Sequence, residues 1–276
     1  MSGSALPIHV EALGLAPGDR VESFLLIHGY GASSFTWRHW APRLAKRGHV
    51  VLMDMKGFGR APKPDDGRYG PEDQAGLVRR LIEERGLRDL TIVGHSLGGG
   101  VALLTALGLQ DDRSPRLRRL TLVAGAAYEQ RLPPFVRLAD NPRMSELLLR
   151  LIGPTALVRF VLSSIVYDRS SIDPDQIRGY AEPLRSPSVV RSLIGSARQI
   201  RPQSLERLAA RYRTLDVPTL LIWGRHDPVV PLWVGQRLVR ELPDARLHVF
   251  EECGHLPPEE WPEESYSVLE AFLDER

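Results

Sequence analysis

The sequence predicts an α/β protein: a mostly parallel central sheet with helices on both faces and a block of helices inserted into it. Three observations carry this. Short apolar runs recur along the chain, greasy on both faces as strands covered by helices on either side must be. Helix-length stretches alternate with those runs, the rhythm of a parallel sheet. From about Gln130 to Arg213 no strand pattern appears, and sheet-forming sequence returns only at Val217.

From the N-terminus, one early strand is expected near Ile8–Leu13, followed by Ser23–Ile27 and a helix over Thr36–Lys46. Val50–Met53 and Leu90–Val93 read as strands around a helix at Pro71–Arg85, where Pro71 sits in the first turn with acids behind it. Leu97–Leu109 is the next helix and Leu120–Val123 the next strand. In the inserted block, Pro-Pro, Asn-Pro, Gly-Pro, Asp-Pro and Ser-Pro steps mark helix starts, because proline disfavours α geometry in the residue before it. Thr219–Trp223 and Arg246–Phe250 then close the sheet, with helices at Pro231–Glu241 and Glu260–Glu275. This divides the chain into a core of residues 1–129 and 214–276 and a helical cap of residues 130–213. A block in that position lies over the carboxyl edge of the sheet, where such folds bind ligands; the plainer reading is a structural extension.

Composition narrows the function. With 276 residues, 43% hydrophobic and 25% charged, the chain is neither disordered, collagenous nor a coiled coil. The 36 Lys and Arg nearly balance 34 Asp and Glu, so no nucleic-acid footprint is expected. The lone Cys253 forms no internal disulfide and joins no zinc-type cluster. Leu147 to Tyr167 is interrupted by Arg150, Gly153-Pro154 and Arg159 and does not read as a bilayer span. Met1 to Val10 lacks the basic and apolar parts of a signal peptide, so a soluble cytoplasmic protein is the expectation.

The chemistry concentrates at strand ends. Gly94-His95-Ser96-Leu97-Gly98 follows a strand and opens a helix, a turn that lifts a serine hydroxyl clear of the sheet and needs small residues two positions either side. Such a serine needs a base and an orienting acid. His255, in Cys253-Gly254-His255-Leu256-Pro257-Pro258 beyond the last strand, is the best base. His28 and His95 flank the site but are tied to backbone turns, while His226 is a lesser rival. Asp227, in Trp223-Gly224-Arg225-His226-Asp227-Pro228, is preferred as acid over Asp54, whose turn reads as structural. The backbone N–H groups of Leu97 and of Tyr30, in His28-Gly29-Tyr30-Gly31, would hold a developing oxyanion.

These motifs and Asp54-Met55-Lys56-Gly57-Phe58-Gly59, taken in order, resemble the α/β-hydrolase superfamily from about Val21 to the C-terminus. The resemblance implies Ser96 as nucleophile, Asp227 as acid, His255 as base, Tyr30 and Leu97 as oxyanion donors, and a helical cap. It differs in having one strand fewer before Ser23 than the family's eight would give, and in Ala61, where serine is common. Haloalkane dehalogenases and epoxide hydrolases carry aspartate where Ser96 stands, which argues against both activities here.

The expected reaction is acyl transfer from a small-molecule carboxylic ester to water, with no cofactor or metal. Gly29-Tyr30-Gly31 lacks the third glycine of a dinucleotide fingerprint, and no phosphate-binding Gly-Lys-Ser/Thr occurs. Most cap apolar residues (Leu147–Leu149, Val158–Leu162, Ile165–Val166) are expected to pack the cap's own core and a minority to line an apolar acyl pocket. Phe35, Trp37, Tyr128 and Phe135 are further candidates for that pocket, each taken singly reading first as core. Arg178 and Arg185 are alternative contacts for an acidic substrate, although a solvated surface position is their plainer reading. The rival readings are a carbon–carbon bond hydrolase or amidase on the same triad, and a non-catalytic ligand-binding or signalling member.

Overall fold

The computed structural model describes residues 5–18, 21–137, 144 and 151–275, with the backbone alone for Pro134, Phe135 and Pro187. Its strands are β1 (His9–Gly14), β2 (Ser23–Ile27), β3 (His49–Asp54), β4 (Leu90–His95), β5 (Leu117–Val123), β6 (Thr219–Gly224) and β7 (Ala245–Phe250). They form one sheet in the order β1-β3-β2-β4-β5-β6-β7. Only β1 runs antiparallel, pairing His9 with Asp54 and Gly14 with His49. Ahead of β2 there is one strand, β1, among the described residues.

Alternation within strands explains the two packed layers. Leu25 and Ile27 of β2 and Val51 and Met53 of β3 face one side. There they meet α2 (Pro71–Glu84), α3 (Leu97–Asp111) and α9 (Leu232–Glu241) through residues such as Val78, Val101 and Leu238. Phe24, Leu26, Val50 and Leu52 face the other side, under α1 (Ala41–Leu44) and α11 (Pro262–Asp274). Central strands buried on both faces leave no polar stripe, hence the unbroken apolar runs in sequence.

Between β5 and β6 the described chain is helical: α4 (Pro134–Arg137), α5 (Pro154–Ile165), α6 (Pro174–Ala181), α7 (Pro187–Arg198) and α8 (Leu205–Arg211). Prolines open α5, α6 and α7 at the first helical positions, where no N–H is needed. The Asn-Pro step and Leu147–Leu149 lie outside the described residues. No helix among the described residues is long and apolar enough to cross a membrane.

Two expected helices are shorter than their patterns. Thr36–Lys46 resolves into a 3-10 turn at Ser34–Trp37 and the single turn of α1, restarted by Pro42. Glu260–Glu275 is broken after its first residue: Glu260 ends α10 (Pro257–Glu260), Trp261 is non-helical ahead of Pro262, and α11 follows. Pro231 is the N-cap of α9 rather than its first residue.

Candidate active site

Four loops leave the carboxyl ends of β2, β4, β6 and β7 and converge on one cavity of about 420 Å³. At the end of β4, Ser96 has φ 54° and ψ −118°, a conformation that L-residues adopt only when the surroundings enforce it. The enforcement is steric. A Cβ on Gly94 would lie 2.8 Å from the carbonyl carbon of Gly98, and one on Gly98 would lie 2.8 Å from that of Ile27. Both contacts are with backbone, which has no rotamer to retreat into. The turn leaves Ser96 at the N-terminus of α3, on the cavity wall.

His255 lies on the same wall, and its Nδ1–H donates to Asp227 Oδ2 at 2.7 Å. The other Asp227 oxygen accepts from Val229 N at 2.7 Å and Val230 N at 2.9 Å. The carboxylate is thus aimed by its own turn, and the bond to Nδ1 leaves the lone pair of Nε2 free. No hydrogen bond joins Ser96 Oγ to the His255 ring among the described residues. Such bonds are often long or misaligned until substrate is in place.

The rivals are placed elsewhere. Asp54 is buried and accepts from Ser34 N at 2.6 Å and Arg60 N at 2.8 Å, pinning two turns together. His226 is exposed, its ring 4.9 Å from that of Tyr167. His28 donates from Nδ1 to Gly29 O at 2.7 Å and accepts from Met55 N at 3.1 Å, so both nitrogens serve the turn. Burial pushes its pKa down. His95 donates from Nε2 to the carbonyl of His255 at 2.9 Å, the two rings 4.7 Å apart. Burial first, then the neighbouring His255, pushes His95 down to about 3.

Tyr30 and Leu97 also line the cavity, and neither backbone N–H donates to a protein acceptor among the described residues. The Tyr30 side chain turns away from this role and donates to Leu193 O of α7 at 3.0 Å, tying the turn after β2 to the cap.

Of the four aromatic candidates, Tyr128 lines the cavity, its hydroxyl anchored on Glu241 Oε2 at 2.8 Å. Trp37 does not: it is fully buried against Trp40, centroids 5.6 Å apart, in the layer under α1 and α11. Nor is Phe35 on the wall, because it packs edge-on behind Tyr180 at 5.5 Å, and it is Tyr180 that reaches the cavity. The side chain of Phe135, in α4, lies outside what is described. Arg178 and Arg185 are exposed and pair with Asp175 and Glu182 on their own turns, away from the wall.

The wall is otherwise apolar, built from cap residues such as Val158, Leu162, Val190, Leu193 and Ile194. Its carboxylate and guanidinium side chains among the described residues are Glu129 and Arg201, which pair with each other at 3.1 Å. A buried clamp that sequence reading missed holds the cap beside it. Glu259 accepts from Arg38 Nη2 at 2.7 Å, from Gln176 Nε2 at 2.7 Å and from the Tyr180 hydroxyl. Burial and the neighbouring carboxylate hold that hydroxyl protonated far above the usual tyrosine range. The only sequence signal was an acid in the first turn of α10, where helix-end charge explains it equally well.

A strained serine at a strand–helix turn, a histidine–aspartate pair and two free amides around one cavity define a protein class. The chain belongs to the α/β hydrolase fold family, whose sequence profile, described as alpha/beta hydrolase fold, matches residues 22–262. It is 31% identical over 264 residues to a 2-hydroxymuconate semialdehyde hydrolase of Pseudomonas sp. (strain CF600), covering 91% of this chain and 86% of that one. It is also similar to a solved meta-cleavage product hydrolase of Pseudomonas fluorescens IP01, at a TM-score of 0.76 and 27% identity, covering 97% and 94% of the two chains. An esterase of Exiguobacterium antarcticum shares the fold at a TM-score of 0.77 and 22% identity, covering 97% and 96%.

Proposed function

We infer that this chain hydrolyses carboxylic esters of small to medium, largely apolar substrates through an acyl-enzyme on Ser96. His255 Nε2 takes the Ser96 proton as Oγ bonds to the ester carbonyl carbon. The carbonyl oxygen becomes an oxyanion held by the Tyr30 and Leu97 amides, while Asp227 steadies the imidazolium through Nδ1. As the C–O bond breaks, Nε2 returns the proton to the leaving alcohol. Water then gives its proton to Nε2 and attacks the acyl carbon, and the carboxylic acid leaves as Oγ regains its proton.

The observation that carries the substrate class is the cavity's charge. Among the described residues its guanidinium, Arg201, is solvent-exposed and paired with the exposed Glu129, so a carboxylate brought onto the buried apolar part of the wall would lack a partner there. The relatives named as 2-hydroxymuconate semialdehyde and 2-hydroxy-6-oxo-6-phenylhexa-2,4-dienoate hydrolases favour a second reading, cleavage of a carbon–carbon bond in an acidic substrate by the same triad.

The test compares p-nitrophenyl hexanoate, the mono-p-nitrophenyl ester of adipic acid, and a 2-hydroxy-6-oxo-dienoate. Neutral ester hydrolysis lost in Ser96→Ala, with the anionic ester about a hundredfold poorer, is expected for a desolvation cost of about 3 kcal/mol. Efficient turnover of the dienoate with negligible ester hydrolysis would instead establish the carbon–carbon reading. A protein that turns over none of these and forms no adduct with a fluorophosphonate is a non-catalytic member of the family.

A further inference from the structure

The loop carrying His255 is gripped by one side chain outside the triad. Glu260, the last residue of α10, accepts from Gly254 N at 2.9 and 3.1 Å on its two oxygens and from Leu256 N at 3.0 Å. These two residues bracket His255. The same carboxylate accepts from Tyr167 N at 2.7 Å, two residues beyond cap helix α5. His255's own N–H donates to Ile165 O, the last residue of α5, at 2.8 Å. Gly254 permits this approach: a Cβ there would lie 2.8 Å from Tyr167 N and 2.9 Å from Val166 C.

The bond from Leu256, the residue that caps α10, stays within that turn, four positions from Glu260. Those from Gly254 and Tyr167 reach beyond it, Tyr167 being 93 positions away in the chain. Resting on the reading of His255 as general base, we propose that Glu260 is a positioning residue that bolts the base loop to the end of cap helix α5. Seating of the cap is thereby part of what places the imidazole.

The chemistry favours a carboxylate here. It offers acceptor sites in several directions and no donor, so it satisfies three converging N–H groups at once. Glutamine at the same position turns an NH2 towards one of them. Loss of the grip releases the loop backbone, and a displacement of about 1 Å in a reacting group costs on the order of a hundredfold in rate.

The test uses Glu260→Gln, Glu260→Ala and Tyr167→Pro in the full chain. Proline removes the donor at 167 together with the ring, and Val166, at ψ 155°, already has the extended geometry that precedes proline. Tyr167→Ala keeps the donor and loses the ring, so the difference between the two variants isolates the amide. Thermal melts establish which variants are folded, and kcat, KM and the rate of fluorophosphonate labelling at Ser96 are then measured. The expected result is a drop in kcat of about tenfold to a hundredfold, KM within about twofold of wild type, and a parallel fall in labelling rate. A global loss of structure would move the melt and the active fraction instead. Folded Glu260→Gln and Tyr167→Pro with wild-type kcat and labelling overturn the proposal alone. A wild type that neither labels nor hydrolyses an ester overturns the hydrolase reading and the proposal with it.

Discussion

Replacing Asp227 by asparagine tests the relay with almost no change of shape. One carboxylate oxygen accepts from the amides of Val229 and Val230, and the other faces His255 Nδ1. Asparagine has one acceptor end and one donor end. Two amides at 2.7 and 2.9 Å fix the acceptor end on their side, because the NH2 there would confront both donors. The NH2 must therefore point at Nδ1, which becomes the acceptor and sends the ring proton to Nε2. A protonated Nε2 cannot take the proton from Ser96. The penalty for this wrong tautomer in a Ser–His–Asp relay is about 10⁴-fold in kcat, about 5 kcal/mol. The assay is kcat on a p-nitrophenyl ester beside a thermal melt. A folded Asp227→Asn within about tenfold of wild type would refute the assignment of both Asp227 and the His255 tautomer.

Four further outcomes follow from the packing. Trp37→Ala should lower stability by about 3–5 kcal/mol in a thermal melt while leaving the KM for esters unchanged, since the ring fills the sheet layer and not the cavity. Gly98→Ala should cost about 1–3 kcal/mol and at least about a hundredfold in kcat, as its methyl presses on the Ile27 backbone ahead of the oxyanion turn. His28 and His95 are held neutral, with His95 at about 3 against an ordinary 6.5, so the unfolded chain binds more protons in between. Stability should be complete above 6.5 and fall as pH drops towards 3, with a shallower fall of melting temperature in His95→Gln. Glu259→Ala strands Arg38 and should cost about 3–5 kcal/mol, with faster limited proteolysis between α5 and α8.

What the sequence could reveal was set by how local the physics is. Strands such as Val50–Met53 are legible because burial on both faces demands an unbroken apolar run. The turn at Ser96 is legible because its steric demands fall on Gly94 and Gly98, two positions away on either side. Asp227 and His255 are findable as polar residues just past strand ends, which the parallel topology brings to one edge. Trp37 and Phe35 could not be divided between core and cavity because an aromatic ring carries no mark of which side it faces. That depended on Pro42 breaking the expected helix and on Tyr180 arriving from far along the chain. Val158 and Leu193 show the same ambiguity in the cap, where amphipathic spacing does not separate cavity wall from packing. Glu259 and Glu260 looked like ordinary helix-start acids, and their partners at positions 167, 176 and 180 are fixed only by tertiary structure.

The point of insertion of the helical block has a consequence of its own. The chain leaves the sheet after Val123 and re-enters at Thr219, on strands that are immediate neighbours, with Val123 opposite Ile222. Re-entry at Thr219 lies opposite Leu120, three residues back from the exit, so departure and return are about 11 Å apart, one strand spacing across and three residues along. An excursion that departs at the carboxyl edge and returns at the amino edge of two adjacent strands can be lengthened or shortened without shifting the register of either strand. Each doubling of its length adds only about 0.6 kcal/mol of closure entropy. The helical block can therefore vary in length while the sheet beneath it keeps its pairing. A graft between relatives would need to preserve the ties at Ile165, Tyr167, Gln176, Tyr180 and Leu193.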